Sequence, residues 1–250
     1  MSVAELTIGA EAPVLELSGA ALFLDLDGTL APIVSRPDQV VPDARRTHLL
    51  EKLCEGLDGR LAVVSGRTLG TIDRILDGAA PAAAGVHGLE RRRADGVVLR
   101  AQPNPALPAV VAELEAFAAA RPGLLVEDKG LSVGLHYRQA PGQAKAVLAL
   151  AERLAAGAGL RLQRGDMVAE LRTPGADKGA AVEAFMQEAP FIGASPVFVG
   201  DDLTDEDGFR AVGRLGGLGV LVGPPRDTAA RARLDDVDDV LGWLAASLGG

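Results

Sequence analysis

Two carboxylates stand one residue apart in Leu22-Phe23-Leu24-Asp25-Leu26-Asp27-Gly28-Thr29-Leu30, directly behind an apolar run of strand type. A strand in a parallel sheet is buried on both faces, which fits the unbroken hydrophobic run of Ala21 to Leu24. The two acids then emerge at its C-terminal end, where open α/β sheets bind ligands. Like charges this close repel and ask for a cation between them. Mg2+ suits that place, because it takes oxygen ligands and usually one or two carboxylates together with substrate phosphate. A carboxylate can also be a nucleophile that forms an aspartyl-phosphate. The bland alternative is a strand followed by an ordinary Asp-Gly turn.

A second acidic tip, Asp201-Asp202-Leu203-Thr204-Asp205-Glu206-Asp207, follows the apolar strand Val197-Phe198-Val199-Gly200. Surface acidic runs are usually just solvated. This one grows out of a buried strand, so its first acids fall at the C-terminal edge of the sheet, beside Asp25. A further strand, Leu61 to Val64, ends in Ser65-Gly66-Arg67 ahead of a helix over Thr68 to Leu76. A hydroxyl, free backbone N–H groups and the positive end of a helix converge there on an anion site. Asp177-Lys178-Gly179 opens a helix expected to run to Glu188. The helix dipole disfavours a cation at that end, so Lys178 needs a negative partner. Its alternative reading is an ordinary exposed lysine.

These residues need a framework to carry them. The length of 250 residues suits one large domain or a core with a smaller insert. With 48% hydrophobic residues the chain can bury a substantial core. A net charge of −9 and a pI near 4.9 argue against a nucleic-acid surface. An acidic protein with an anionic substrate must gather its positive charge locally, so Arg and Lys near the motifs carry the information. The single Cys54 falls in a helix that Asp43 caps and that runs to Leu57. It cannot form an intramolecular disulfide and reads as a small buried apolar residue. Met1 to Ala20 is acidic and lacks the basic region and long apolar stretch of a secretory signal. No run is long and apolar enough to span a membrane. The expectation is a monomeric cytoplasmic protein without nucleic-acid or membrane partners.

The rhythm along the chain is α/β, broken once. Ala31 to Pro42 reads as a loop, and Ala82 to Gly85 as a strand leading into Val86-His87-Gly88-Leu89-Glu90. Arg91 to Arg100 reads as a hairpin around Asp95-Gly96. After the connector Asn104 to Pro108 the pattern changes. Helix Leu107 to Ala120 precedes strands Leu124 to Glu127 and Leu131 to Arg138. Helix Gln143 to Ala156 precedes strands Leu160 to Arg164 and Met167 to Arg172. These strands alternate. Leu131, Val133, Leu135 and Tyr137 share an apolar face with Met167, Ala169 and Leu171, while Ser132, His136, Arg138, Glu170 and Arg172 lie on the opposite one. That polar face serves either a ligand or plain water, as antiparallel sheets allow. Thr173-Pro174-Gly175 returns the chain to the α/β pattern, which ends with a last strand, Gly219 to Val222, and a closing helix, Val237 to Leu248, where Trp243 packs. The fold class is therefore α/β: a doubly wound, mostly parallel Rossmann-like core sheet with an inserted α+β domain of order αββαββ. The boundaries fall at 1–104 for the first core part, 105–173 for the insert and 174–250 for the second core part. Pro in Asn104–Pro108, and Pro and Gly in Thr173–Gly175, make them hinges for an insert that closes as a lid.

The D-x-D-G-T-L of Asp25 to Leu30, the strand-end Ser65-Gly66-Arg67, Lys178 and the Gly200-Asp201-Asp202-x-x-Asp205 string resemble, in order, the four motifs of the haloacid-dehalogenase-like phosphohydrolases. The insert between the second and third resembles a C2-type cap. That resemblance implies Asp25 as nucleophile and Asp27 as general acid/base. Ser65 would hold the phosphate, with Gly66 and Arg67 beside it, and Lys178 would lower the repulsion between nucleophile and substrate. Asp201 would complete an Mg2+ site with the Asp25 side chain and the Asp27 backbone carbonyl, and Asp205 and Asp202 would stand behind those ligands. Gly85 to Glu90, Glu127-Asp128-Lys129-Gly130, His136-Tyr137-Arg138 and Glu170-Leu171-Arg172 narrow the likeness to the trehalose-6-phosphate phosphatases, over about Phe23 to Phe209. By that likeness Glu127, Lys129 and Glu170 bind sugar hydroxyls and Arg138 serves the cap's side of the site. The competing readings are a phosphatase for sucrose phosphate, glucosylglycerol phosphate or a similar sugar, and a phosphomutase. A phosphate-accepting receiver domain and a non-catalytic sugar-phosphate sensor belong to other classes.

Overall fold

The computed structural model describes residues 10–249, so the expectation about the N-terminal segment falls, for residues 1–9, outside the described residues. The chain divides into two compact units, one of residues up to Leu99 with Ala176 onward, the other Arg100–Gly175.

In the first unit the strands are β1 (Ala10–Glu11), β2 (Ala20–Leu24), β3 (Leu61–Val64), β4 (Ala82–Gly85), β5 (Glu90–Arg92), β6 (Val98–Arg100), then β11 (Ser195–Gly200), β12 (Leu218–Val222) and β13 (Ala232–Leu234). The strands numbered between them, β7 to β10, belong to the second unit. The helices are α1 (Ala44–Gly56) and α2 (Leu69–Leu76), then α5 (Lys178–Phe185), α6 (Glu206–Arg214) and α7 (Val237–Ala246). The sheet has nine strands in the order β1-β13-β12-β11-β2-β3-β4-β5-β6, parallel from β1 through β4 and antiparallel from β4 to β5. Side chains alternate across it into two cores. Leu22, Leu24, Val63 and Val199 pack with Leu53, Ile72 and Leu244 of α1, α2 and α7. Phe23, Val64 and Phe198 pack on the other face with Val182, Phe185 and Phe209 of α5 and α6. Burial on both faces is why β2 and the interior of β11 carry no polar residue.

Register decides what those ends do. Leu24 stands opposite Val199 on one side and Val63 on the other. Asp25, Ser65 and Asp201, each one or two residues further along, therefore leave the sheet at the same edge.

Side chains start the helices as capping chemistry requires. Asp43 accepts from the amides of Arg45 and Arg46, Thr68 from that of Thr71, and Asp177 from that of Ala180. Four expectations are corrected. Helix α5 stops at Phe185, three residues early, because the amides of Gln187 and Glu188 turn back to carbonyls only three residues away, ahead of Pro190, which disfavours helix before it. Gly219 to Val222 is not the last strand: β13 follows and β1 pairs with it, both too short to show periodicity. The Ala31 to Pro42 loop contains a 3-10 turn at Pro37–Gln39. Cys54 is half-buried rather than buried, with its thiol pKa raised by that burial and by Glu55. Trp243 packs as expected, and its indole N–H also donates to the Pro13 carbonyl at 2.7 Å.

The second unit runs α3 (Leu107–Ala119), β7 (Leu125–Asp128), β8 (Ser132–His136), α4 (Ala144–Ala158), β9 (Arg161–Gly165) and β10 (Val168–Arg172). Its antiparallel sheet has the order β7-β8-β10-β9. Val133, Leu135, Tyr137, Ala169 and Leu171 bury one face against Leu107, Val110 and Leu114 of α3 and Val147, Leu150 and Leu154 of α4. On the other face Glu127 of β7 and Glu170 of β10 both stand opposite Gly134 of β8. Ser132, Glu170 and Arg172 are buried there, so this face is not merely water-washed.

Candidate active site

Asp25 is the first residue beyond β2, and its amide still donates to the Val199 carbonyl at 2.9 Å. Its carboxylate is buried and meets Lys178 Nζ at 2.9 Å. Lys178, the first residue of α5, has the negative partner that its position demanded, and a second one: Asp205 Oδ1 at 2.6 Å. The other oxygen of Asp205 accepts from the amides of Asp201 at 3.0 Å and Asp202 at 2.9 Å. The acidic tip is thus folded around an acid of its own.

Asp25, Asp201 and Asp205 each place a carboxylate oxygen within 4.8 Å of the others. Three acids share one lysine, and the electrostatics record the imbalance. Burial outweighs the attraction of Lys178 and, with Asp205 and Asp27 pushing the same way, raises the Asp25 pKa to about 8. Burial, Asp25 and Asp205 raise that of Asp201 to about 9. Burial works against the Lys178 ammonium, but Asp205 and Asp25 outweigh it and hold its pKa above the ordinary lysine value. Among the described residues, Asp201 Oδ1 is buried without a hydrogen-bond partner. Buried polar atoms are nearly always partnered, so this oxygen asks for a ligand. A divalent cation fits: hard oxygen donors, surplus negative charge and an orphaned carboxylate oxygen coincide. Asp205 is near enough to join it, yet both its oxygens are already engaged.

Gly28 shows how closely the first and last acidic strings meet. Its φ of +81° is left-handed, and a Cβ there would sit 2.1 Å from Asp201 Oδ2. No side chain fits between Asp27 and the acidic tip.

Asp27 points elsewhere. Arg67 grips its carboxylate with two hydrogen bonds, Nε to Oδ2 at 2.6 Å and Nη2 to Oδ1 at 2.7 Å. Arg67 Nη1 also donates to the Pro37 carbonyl at 2.8 Å. Ser65 is buried, and its hydroxyl accepts from the Arg67 amide at 3.2 Å. The turn of Val86 and His87, both at left-handed φ (47° and 55°), braces this corner. The His87 amide donates to the Ser65 carbonyl, and that of Val86 to the Arg67 carbonyl. The His87 ring lies so near Gly66 that a Cβ there would approach it to 2.6 Å. Backbone strain of this kind concentrates where geometry serves function.

In the second unit Lys129 Nζ lies 3.1 Å from Glu170 Oε2 and 3.7 Å from Glu127 Oε2. His136 Nε2 meets Glu127 Oε2 at 2.9 Å, and the Ser132 hydroxyl donates to Glu170 Oε1 at 2.5 Å. Burial pushes the Glu127 pKa upward, but His136 and Lys129 outweigh it and hold it below the ordinary value. The three residues expected to bind hydroxyls are therefore one cluster. Arg138 instead pairs with Asp166 of the β9–β10 turn at 2.8 Å. His136 and Ser132 were legible only as members of the polar face, and their pairing with the glutamates depends on strand register.

A mostly parallel α/β sheet gathers a D-x-D pair, a Ser-Gly corner, a lysine and an acidic tip at one edge. A solved haloacid-dehalogenase-like hydrolase from Bacteroides thetaiotaomicron shares the fold, with a TM-score of 0.63, 16% identity and coverage of 90% of this chain and 98% of that one. A solved trehalose-6-phosphate phosphatase related protein matches with a TM-score of 0.78 and 27% identity over 91% of this chain and 96% of its own. The family model described as trehalose-phosphatase matches residues 23–238. Trehalose-6-phosphate phosphatase of Escherichia coli (strain K12) is 44% identical over 226 residues, which are 90% of this chain and 85% of that protein. The chain belongs to the trehalose-phosphatase family and is a phosphatase hydrolase.

Proposed function

We propose that the chain hydrolyses trehalose 6-phosphate to trehalose and phosphate through an aspartyl-phosphate on Asp25. The choice of sugar is carried by the 44% identity to the E. coli enzyme over 90% of the chain. An Asp25 oxygen attacks phosphorus as the bond from phosphorus to the sugar oxygen breaks, and Asp27 gives that oxygen a proton. Asp27 then takes a proton from water, which attacks phosphorus, releases phosphate and restores the Asp25 carboxylate. Arg67 holds Asp27 in one orientation through its paired hydrogen bonds. The Ser65 hydroxyl and the Gly66 amide hold phosphate oxygens, and Lys178 keeps charge from building up between nucleophile and phosphate.

Mg2+ would be held by the side chains of Asp25 and Asp201 and by the Asp27 backbone carbonyl, and would offset the charge of carboxylate and phosphate. The commitment of both Asp205 oxygens supports a bracing role for it, with Asp202 beside it. Residues 100–175 are the cap in this reading. Glu127, Lys129 and Glu170 exchange their mutual hydrogen bonds for sugar hydroxyls, and Arg138 serves the cap's side of the site. The test is phosphate release with Mg2+ from trehalose 6-phosphate, sucrose phosphate, glucosylglycerol phosphate and glucose 6-phosphate. Trehalose 6-phosphate should be turned over fastest by kcat/KM. Equal values across the panel would refute the sugar assignment, and isomerised sugar phosphate in place of free phosphate would make the protein a mutase.

A further inference from the structure

Arg226 lies in the loop between β12 and β13, outside every motif of the sequence. Its guanidinium reaches the acidic tip. Nη2 donates to the Asp202 carbonyl at 3.0 Å and, at 3.4 Å, to that of Asp201. Nη1 pairs with the Glu206 carboxylate at the start of α6. Glu206 in turn accepts from the Thr228 hydroxyl at 2.7 Å and the Ala229 amide at 2.8 Å. Burial raises the Glu206 pKa, but those two donors and Arg226 outweigh it and leave it below the ordinary carboxylate value. The loop after β12 and the tip after β11 are thereby fastened together.

The fastening acts on two residues in particular. The amides of Asp201 and Asp202 donate inward to Asp205 Oδ2, while their carbonyls accept outward from Arg226. Holding both the N–H and the C=O of consecutive residues restricts the backbone between them, because the peptide planes cannot swing. The direction of the Asp201 side chain follows from that backbone, and its Oδ1 is buried without a partner among the described residues.

We propose that Arg226 is a positioning residue for the metal site, a clamp that presets the Asp201 carboxylate for the cation. This rests on the reading of Asp201 as a metal ligand. Two accounts of Arg226 predict opposite signs. A guanidinium near a cation site repels the cation, so if charge alone mattered, its removal would tighten metal binding. A clamp works the other way, because a ligand that must first be ordered binds its metal less well.

The experiment is calorimetric titration of MgCl2 into the full chain and its variants, with melting temperatures measured with and without Mg2+. Arg226→Met should weaken Mg2+ binding about tenfold and shrink the Mg2+-induced rise in melting temperature. Arg226→Lys keeps the charge but not the planar fork that serves two carbonyls and a carboxylate, so it too should bind Mg2+ more weakly. It decides the matter if Arg226→Met does not fold. Unchanged or tighter Mg2+ binding in the folded variant overturns the clamp. Asp201→Asn separates the two layers: it should lose Mg2+ binding, and if it binds as the parent does, the ligand assignment has failed and the clamp with it.

Discussion

Two clusters of buried charge, one in each unit, are built to opposite balances. At the edge of the nine-stranded sheet Asp25, Asp201 and Asp205 cluster around Lys178, which pairs with Asp25 and Asp205, and the pKa values of Asp25 and Asp201 are driven up to about 8 and about 9. On the four-stranded sheet Glu127 and Glu170 share Lys129 and are each given a further partner, His136 and Ser132. There the Glu127 pKa is lowered. The first cluster is incomplete without another positive charge. The second is satisfied within itself and can trade hydrogen bonds one for one with hydroxyls. One cluster thus carries surplus negative charge, and the other balances its own.

The largest effect is expected at Asp25. Asp25→Asn should reduce phosphate release by about 10³-fold or more, since an amide cannot form the acyl-phosphate. The protein should stay folded, because the change removes a poorly compensated buried charge. Circular dichroism with a phosphate assay checks both, and substantial turnover by the folded variant would rule out the nucleophile.

Metal removal is the next largest effect. Chelation should abolish activity and added Mg2+ should restore it. Stability should respond with a defined sign. Asp25 and Asp201 have an ordinary pKa of 3.8 but about 8 and about 9 in the folded, metal-free chain. Between those values the folded state binds more protons than the unfolded one, so stability falls as pH rises. The metal-free protein should therefore melt at progressively lower temperature from about pH 4 toward pH 8 to 9. Saturating Mg2+ should flatten that slope by taking the place of the protons. A metal-free melting temperature that rises steadily across this window would contradict the charge surplus.

The second cluster should respond selectively. Glu127→Ala and Glu170→Gln should each lower kcat/KM for trehalose 6-phosphate about tenfold, the worth of roughly one charged hydrogen bond. Both should leave p-nitrophenyl phosphate hydrolysis nearly intact, because that ester offers no sugar. Equal losses on the two substrates would make these residues structural. The smallest effect is expected at His136. His136→Asn should raise KM for the disaccharide a few-fold with kcat nearly constant, since it only loosens Glu127. A fall in kcat at constant KM would assign the histidine another role.

The unequal legibility of the two clusters has a physical cause. The positions of Asp25, Ser65 and Asp201 at strand ends could be read from the chain, because a buried parallel strand is an unbroken apolar run and its end is marked by the first polar residue, while Asp177 marked Lys178 as a helix start. The alternation of β8 and β10 likewise separated the apolar face from the charged one. Element order and fold class followed from those same periodicities. The two-residue β1 and the three-residue β13 did not, being too short to hold a period.

What the chain could not disclose is which polar groups meet. Arg67 reaches Asp27 across 40 residues, Lys129 reaches Glu170 across 41, and Arg226 reaches Asp202 across 24. Each contact is set by strand register or by loop packing, and neither is encoded in the local order of residues. Gly134 reads as a weak point in a strand until register places it opposite both glutamates. The charge surplus at Asp25 and Asp201 is of the same kind. Composition yields a net charge, but a pKa depends on how deeply an acid is buried and on what stands within a few ångströms, and only the folded chain decides that.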